Sequence, residues 1–203
     1  MSIAVFGGSF NPPTIAHINL AKEILKKVDD VEKVIFVPVS TKYNKKGLAP
    51  DETRFSMLQK ICEKEEGLEV SNIELDSPKQ PYTIETLKTL QKQNPEKEIY
   101  FILGTDNLKE LHTWYKAEEL LKKFKILVLK RDNDNIEEII EKNSLLSKYR
   151  NQLVNLKSIK TIDLSASHVR EKIQKGEKIT GLVSKEIEKE VKKICKWKFN
   201  MVE

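Results

Sequence analysis

The feature that most constrains this chain is the alternation of short apolar runs with helically spaced ones along most of its length. Residues 3–6, 34–37, 68–75, 99–103, 126–129 and 159–164 are strand-like, short and rich in Ile, Val, Leu and Phe. Between the first two, Ile18, Ala21, Leu25 and Val28 recur at helical spacing. Asp51 is placed to cap a second helix that carries Phe55, Leu58 and Cys62 on one side. Ile84, Leu87 and Leu90 mark a third, and Leu120 and Leu121 belong to a fourth. Apolar strands that alternate with helices predict an α/β fold, an open parallel sheet with helices on both faces. The last forty or so residues break the pattern. Residues 167–174 and 184–196 read as two helices separated by Gly176 and Gly181, a small helical appendage over the sheet's edge. A length of 203 residues suits one domain, spanning 1–203, with the helical part from about 165.

Where the first strand ends, the chain reads Val5-Phe6-Gly7-Gly8-Ser9-Phe10-Asn11-Pro12-Pro13-Thr14-Ile15-Ala16-His17. Glycine lets backbone N–H groups approach a ligand with no Cβ in the way. The start of the following helix offers unpaired N–H groups and a positive dipole end, both of which favour phosphate. Thr14 and His17 stand three residues apart and can face one site. In a Rossmann-like sheet, ligands bind at the carboxyl ends of strands near the point where strand order reverses. Two adjacent glycines alone are equally consistent with a tight turn and a surface histidine.

A second anion-like segment is Asp163-Leu164-Ser165-Ala166-Ser167-His168-Val169-Arg170, again a strand-like run opening into a helix. Arg170 carries a rigid fork of donors suited to phosphate, and Ser165 and Ser167 add hydroxyls. Taken alone, Ser167 can equally be a helix cap.

Together the two segments resemble the first and last motifs of the nucleotidyltransferase superfamily. That resemblance implies that Thr14 and His17 contact ATP phosphates. It also implies that Gly8, Ser9 and Phe10 line the nucleotide pocket, and that Ser165, Ser167 and Arg170 hold the leaving phosphates. Ala16 replaces the usual glycine, Thr14 stands where bacterial members usually have histidine, and His168 falls at a variable position. Three further stretches, residues 81–87, 101–106 and 111–116, are similar to segments of nicotinate-mononucleotide adenylyltransferases. They imply that Tyr82, Thr83 and Trp114 bind the mononucleotide, with the indole stacked on the pyridine ring, and that Gly104 and Asp106 bind the ATP side. Residues 38–48 look instead like the corresponding loop of eukaryotic nicotinamide-mononucleotide enzymes, with Lys45 set to reach a phosphate. The implied reaction transfers AMP from ATP to nicotinate mononucleotide, giving deamido-NAD and pyrophosphate in NAD biosynthesis. An amide-using or dual-specificity enzyme, or a sibling with another phosphorylated acceptor, is the alternative. Mg²⁺ is expected to enter with ATP, held by phosphate oxygens and water rather than by a protein metal site.

Bulk properties exclude other classes. No apolar run approaches eighteen residues, and residues 1–6 lack the basic start and long apolar core of a signal peptide, so no membrane association is expected. Cys62 and Cys195 are too few for a disulfide framework or a cysteine zinc site and suit reduced thiols of a cytoplasmic protein. The net charge of +5 comes largely from lysines dispersed among glutamates, as in residues 186–198. Without a basic stripe and interleaved aromatics, no nucleic-acid partner is expected; small phosphorylated ligands fit the charge.

Overall fold

Alternate residues of the central strand leave for opposite faces, and both faces are covered. In the computed structural model, which describes residues 1–42, 47–131, 134–156, 159 and 164–197, strand β1 (Ser2–Gly8) sends Ile3 and Val5 to one apolar cluster and Ala4 and Phe6 to another. It is flanked by β2 (Val31–Pro38) and β4 (Glu98–Gly104). Strands β3 (Leu68–Val70), β5 (Lys125–Leu129) and β6 (Leu153–Asn155) complete a six-stranded sheet in the order β3-β2-β1-β4-β5-β6. Every pairing is parallel. The order reverses between β1 and β4, so their carboxyl ends open the crevice expected of this topology.

One face carries helices α1 (Ile15–Lys27) and α2 (Asp51–Cys62). The other carries α3 (Thr83–Gln93), α4 (Thr105–Glu110), α5 (Ala117–Lys123), α6 (Ile136–Glu141) and α7 (Ser144–Lys148). The C-terminal helices α8 (Ala166–Gln174) and α9 (Glu188–Trp197) form the expected helical appendage and pack on the α1–α2 face. Val169, Ile173 and Val191 join Ile18, Met57 and Phe36 in the cluster on the α1–α2 face. The reason lies in α9, whose apolar residues recur along one stripe and so demand a broad surface rather than a strand edge. No helix among the described residues is long and apolar enough to cross a membrane.

Two expectations are corrected, and a third falls mostly outside the described residues. The third strand ends at Val70 instead of running to residue 75, because Ser71 and Asn72 open a turn closed by the Asp76 N–H on the Asn72 carbonyl at 2.9 Å. The sixth strand is Leu153–Asn155, paired to β5. Of residues 159–164 only Ile159 and Leu164 are described, both outside any strand. A three-residue edge strand holds too little periodicity to be read from sequence. Asp51, expected to cap α2, is instead its first residue; Pro50 occupies the cap position.

The Asp51 carboxylate has another task. It accepts from the Thr41 N–H at 2.7 Å, from the Ser40 hydroxyl at 2.9 Å and from Arg54. Burial pulls its pKa upward, but those three bonds together hold it below the usual carboxylate value. Arg54 itself is wholly buried, at 0% side-chain exposure. Its Nε donates to the Ala49 carbonyl and Nη1 to the Ser9 carbonyl, each at 3.0 Å, while Nη2 donates to the Val39 carbonyl and Asp51. One guanidinium thus ties together the loops after β1 and β2 and the entry to α2. Replacing Arg54 with Met should cost about 3–5 kcal/mol, because removing one partner leaves the other buried groups unpaired. In a chain of this size that corresponds to a fall in Tm of roughly 6–20 °C. Scanning calorimetry of the variant checks it; an unchanged Tm would mean that water replaces the guanidinium without loss.

Candidate functional site

The loop between β1 and α1 is built so that little in it can move. Phe10 takes a left-handed backbone conformation (φ 43°), a strained state for a residue with a Cβ, and is compensated by full burial of its ring. That ring meets Phe6 and Phe36 edge-on, with centroids 5.5 and 5.3 Å away. Gly8 suits the same packing, since a Cβ there would lie a tight 3.0 Å from the Phe10 ring.

Thr14 is the N-cap of α1, and His17, at the third helical position, reaches back to it. Nδ1 of His17 lies 3.0 Å from the Thr14 backbone N–H and 2.8 Å from its Oγ1. A backbone N–H can only donate, so Nδ1 accepts and the neutral ring carries its proton on Nε2. Burial of the imidazole, helped by the positive charge of Arg131, lowers its pKa to about 4. Aromatic contacts with Phe10 and Phe6, at 5.2 and 5.9 Å between centroids, account for the dry surroundings. At neutral pH the site therefore presents an uncharged, oriented N–H donor.

The last motif arrives at the same place. Ser165 caps α8, its Oγ accepting from the His168 N–H at 3.1 Å, so the cap is Ser165 and not Ser167. Ser167 Oγ instead accepts from Arg170 Nη2 at 2.8 Å. Arg170 Nη1 donates to the Asn11 carbonyl at 2.7 Å, joining residues 159 positions apart in the chain. Nearby, the Ile15 N–H donates to the Leu182 carbonyl at 2.9 Å. The two anion-like segments thus form one site.

At the end of β4, Gly104 caps α4, and a Cβ there would lie only 2.4 Å from Asp106 Oδ1. Asp106 faces Arg131 Nε at 3.6 Å, both side chains being largely exposed. Beyond them lies the second half of the crevice. Trp114 is half-buried with its ring edge toward Phe101, centroids 6.3 Å apart. The exposed rings of Tyr82, the cap residue of α3, and Tyr115 are stacked at 4.3 Å. Thr83 is the first residue of α3, so its N–H is among the unpaired amides of a helix start. Lys45 lies outside the described residues.

Residues 5–172 match the family model described as cytidylyltransferase-like. The chain belongs to the cytidylyltransferase-like family. A relative from Caldicellulosiruptor saccharolyticus, named a probable nicotinate-nucleotide adenylyltransferase, is 35% identical over 191 residues, covering 93% of this chain and 94% of its own. One from Clostridium tetani with the same name is 30% identical over 193 residues, 94% of this chain and 96% of its own. Among solved structures, the Plasmodium falciparum nicotinic acid mononucleotide adenylyltransferase complexed with NaAD superposes with a TM-score of 0.71 at 21% identity, covering 98% of this chain and 96% of that one. That likeness establishes the fold.

Within this family member, sequence reading missed Arg54, Arg131 and Tyr115 as parts of the site. Arg54 carried one readable signal, its position three residues after Asp51 on a helix. Arg131 had none, because only the pairing of β5 with β4 brings it beside Gly104 and Asp106.

The depressed pKa of His17 gives a pH signature with a definite sign. Above pH 6.5 the ring is neutral in both folded and unfolded chains. Between 6.5 and about 4 the unfolded chain takes up the proton first, so stability falls with pH. The loss is up to about 3 kcal/mol, less whatever residual solvent screening removes. Urea unfolding from pH 7 to 4 should show a steeper decline for the wild type than for His17→Gln; parallel curves would contradict a neutral, half-buried His17.

Proposed function

We infer that this chain is an adenylyltransferase that joins the AMP part of ATP to nicotinate mononucleotide, giving deamido-NAD and pyrophosphate. The observation that carries it is the bond from Arg170 to the Asn11 carbonyl. It brings the segment that carries Ser165, Ser167 and Arg170 against the loop that leads into Thr14 and His17. The names and near-complete coverage of the relatives support the same activity.

In this reaction a phosphate oxygen of the mononucleotide attacks the α-phosphorus of ATP. The bond from that phosphorus to the bridging oxygen breaks, and pyrophosphate leaves with the electron pair. A phosphate monoester has a second pKa of about 6 and is already largely ionised, so no side chain need take its proton. Catalysis then rests on alignment, which supplies about 7–11 kcal/mol when two reactants are held in line, and on donors aimed at developing charge. His17 would offer Nε2–H to a phosphate oxygen at no cost in charge burial before the nucleotide arrives. Thr14, Ser165, Ser167, Arg170 and the amides at the start of α1 would add further donors, with Gly8, Ser9 and Phe10 shaping the pocket. Gly104 and Asp106 would face the nucleotide, and Tyr82, Thr83 and Trp114 the acceptor. An indole face under a flat ring adds about 0.5–1.5 kcal/mol beyond burial.

The donors around His17 are N–H groups and hydroxyls, and no group of three or more His, Cys, Asp or Glu side chains among the described residues is placed to hold a metal. Mg²⁺ bound to ATP would be carried by phosphate oxygens and water, where it neutralises charge on the phosphates. A cytoplasmic setting completes the proposal.

Pyrophosphate release with Mg-ATP, measured in parallel with nicotinate mononucleotide and nicotinamide mononucleotide, tests it. A large kcat/KM preference for the acid is expected; equal rates would make the enzyme dual-specific, and activity with neither would remove the acceptor assignment. In the same assay His17→Ala should lower kcat by roughly 10²–10³, the usual loss for one charge-stabilising donor. Trp114→Ala should raise KM for the mononucleotide and leave that for ATP nearly unchanged. Equal weakening toward both substrates would make Trp114 structural.

A further inference from the structure

Glu74 is a buried carboxyl group, 7% exposed, that the mechanism does not use. It sits in the turn where β3 was expected to continue. Burial raises its pKa, and no cation among the described residues offsets this; its partners are neutral. Oε2 accepts from Gln80 Nε2 at 2.6 Å and Oε1 accepts from the Thr86 hydroxyl at 2.8 Å. Holding such a group away from water is costly unless both oxygens are paired, and here both are.

The two bonds grip the segment 80–86 at both of its ends. Gln80 is oriented by a third bond, since its side-chain oxygen accepts the Ser40 N–H at 2.9 Å. With that oxygen committed, only its NH₂ can face Glu74, and Glu74 must accept. Inside the gripped segment lie Tyr82 and Thr83. The Tyr82 ring is 55% exposed and stacked only on another exposed ring, so surface packing does little to fix it. Its place is set from beneath, by the bonds that hold the entry to α3. The chain of bonds then continues through the Ser40 hydroxyl and Asp51 to Arg54 and the Ser9 carbonyl.

We propose that Glu74 is a positioning residue for the acceptor: with Gln80 it fixes residues 80–86, and so Tyr82 and Thr83, in register with the nucleotide loop. This rests on the acceptor reading given above. The decisive measurement is the Kd of nicotinate mononucleotide and of Mg-ATP by titration calorimetry, with hydrogen exchange of residues 80–86 alongside. Glu74→Leu removes both acceptors, and Gln80→Ala, at a half-buried position, breaks the same link with less risk to folding. Each should weaken mononucleotide binding about tenfold, the equivalent of one buried hydrogen bond left unmade. ATP binding should change less than about twofold, and exchange should quicken in 80–86 but not in 2–18. Glu74→Gln should restore the wild-type pattern, because its oxygen still accepts from Gln80 while its NH₂ donates to a Thr86 hydroxyl that turns to accept. Equal weakening of both ligands, unchanged mononucleotide affinity, or exchange that quickens across the whole chain would overturn the proposal. A wild-type protein that binds Mg-ATP but no pyridine mononucleotide would fail at the first titration. That failure would belong to the acceptor reading and would take the positioning role with it.

Discussion

The Arg54 guanidinium is the interaction on which the rest of the site depends. Two loops that would otherwise be independent end on it: Ser9 after β1, and both ends of the connection from β2 to α2, at Val39 and at Ala49 with Asp51. A buried charge of this kind is poor evidence for net stability, since desolvation offsets much of the attraction. What it supplies is geometry. A planar fork with five donors accepts few arrangements of its partners, so the backbone of the nucleotide loop is set by Arg54 before any ligand arrives. The strained Phe10 conformation can persist only inside a frame of that rigidity.

On that frame the chemistry is arranged with little fixed charge. His17 is held neutral by burial and by Arg131, and its tautomer is dictated by a backbone N–H that can do nothing but donate. A neutral donor aimed into the crevice needs no counter-ion in the free protein. Arg170 and Arg131 supply permanent positive charge from α8 and from the end of β5, elements more than thirty residues apart in sequence. The site is thus an assembly of strand ends, not a single loop.

How much of this was legible in the chain divides along physical lines. The central strands were readable because full burial demands continuous apolar runs, and α1 and α3 because one buried stripe demands helical spacing. Edge elements were not: β3 stops after three residues, and the three-residue β6 was not expected at all, since an edge needs few apolar positions. Thr14, His17 and Arg170 could be proposed because they lie in compact segments whose spacing is local. The link between the two segments was not readable from spacing, for it is a contact between a guanidinium and a carbonyl 159 residues away. Asp51 shows the same limit from the other side. A cap was the economical reading of an acidic residue at a helix start, but Ser40 and Thr41 from the loop after β2 and Arg54 one turn along α2 converge on it. Glu74, Arg54 and Arg131 all act through partners supplied by tertiary packing, and local pattern carries no record of such partners.

The arrangement of faces explains why two substrates can meet in line. Elements assigned to the ATP phosphates, α1 and α8, pack on one side of the sheet, while α3 and the Trp114 segment assigned to the acceptor pack on the other, together with α4, whose Gly104 and Asp106 are assigned to the nucleotide. Neither set could reach the other through the sheet. Both instead project past its carboxyl edge, where β1 and β4 end side by side at Gly8 and Gly104. Glycines at those two ends keep the edge low: a Cβ there would crowd the Phe10 ring or displace the Asp106 carboxylate. A reaction in which one phosphate attacks another across the strand ends therefore needs the reversal of strand order between β1 and β4, because only there do helices diverge to opposite faces and leave the edge open. The topology places the reactants, and the Arg54–Asp51–Ser40–Gln80–Glu74 chain of bonds spans from the nucleotide loop to the start of α3, the one continuous polar connection described between the two halves.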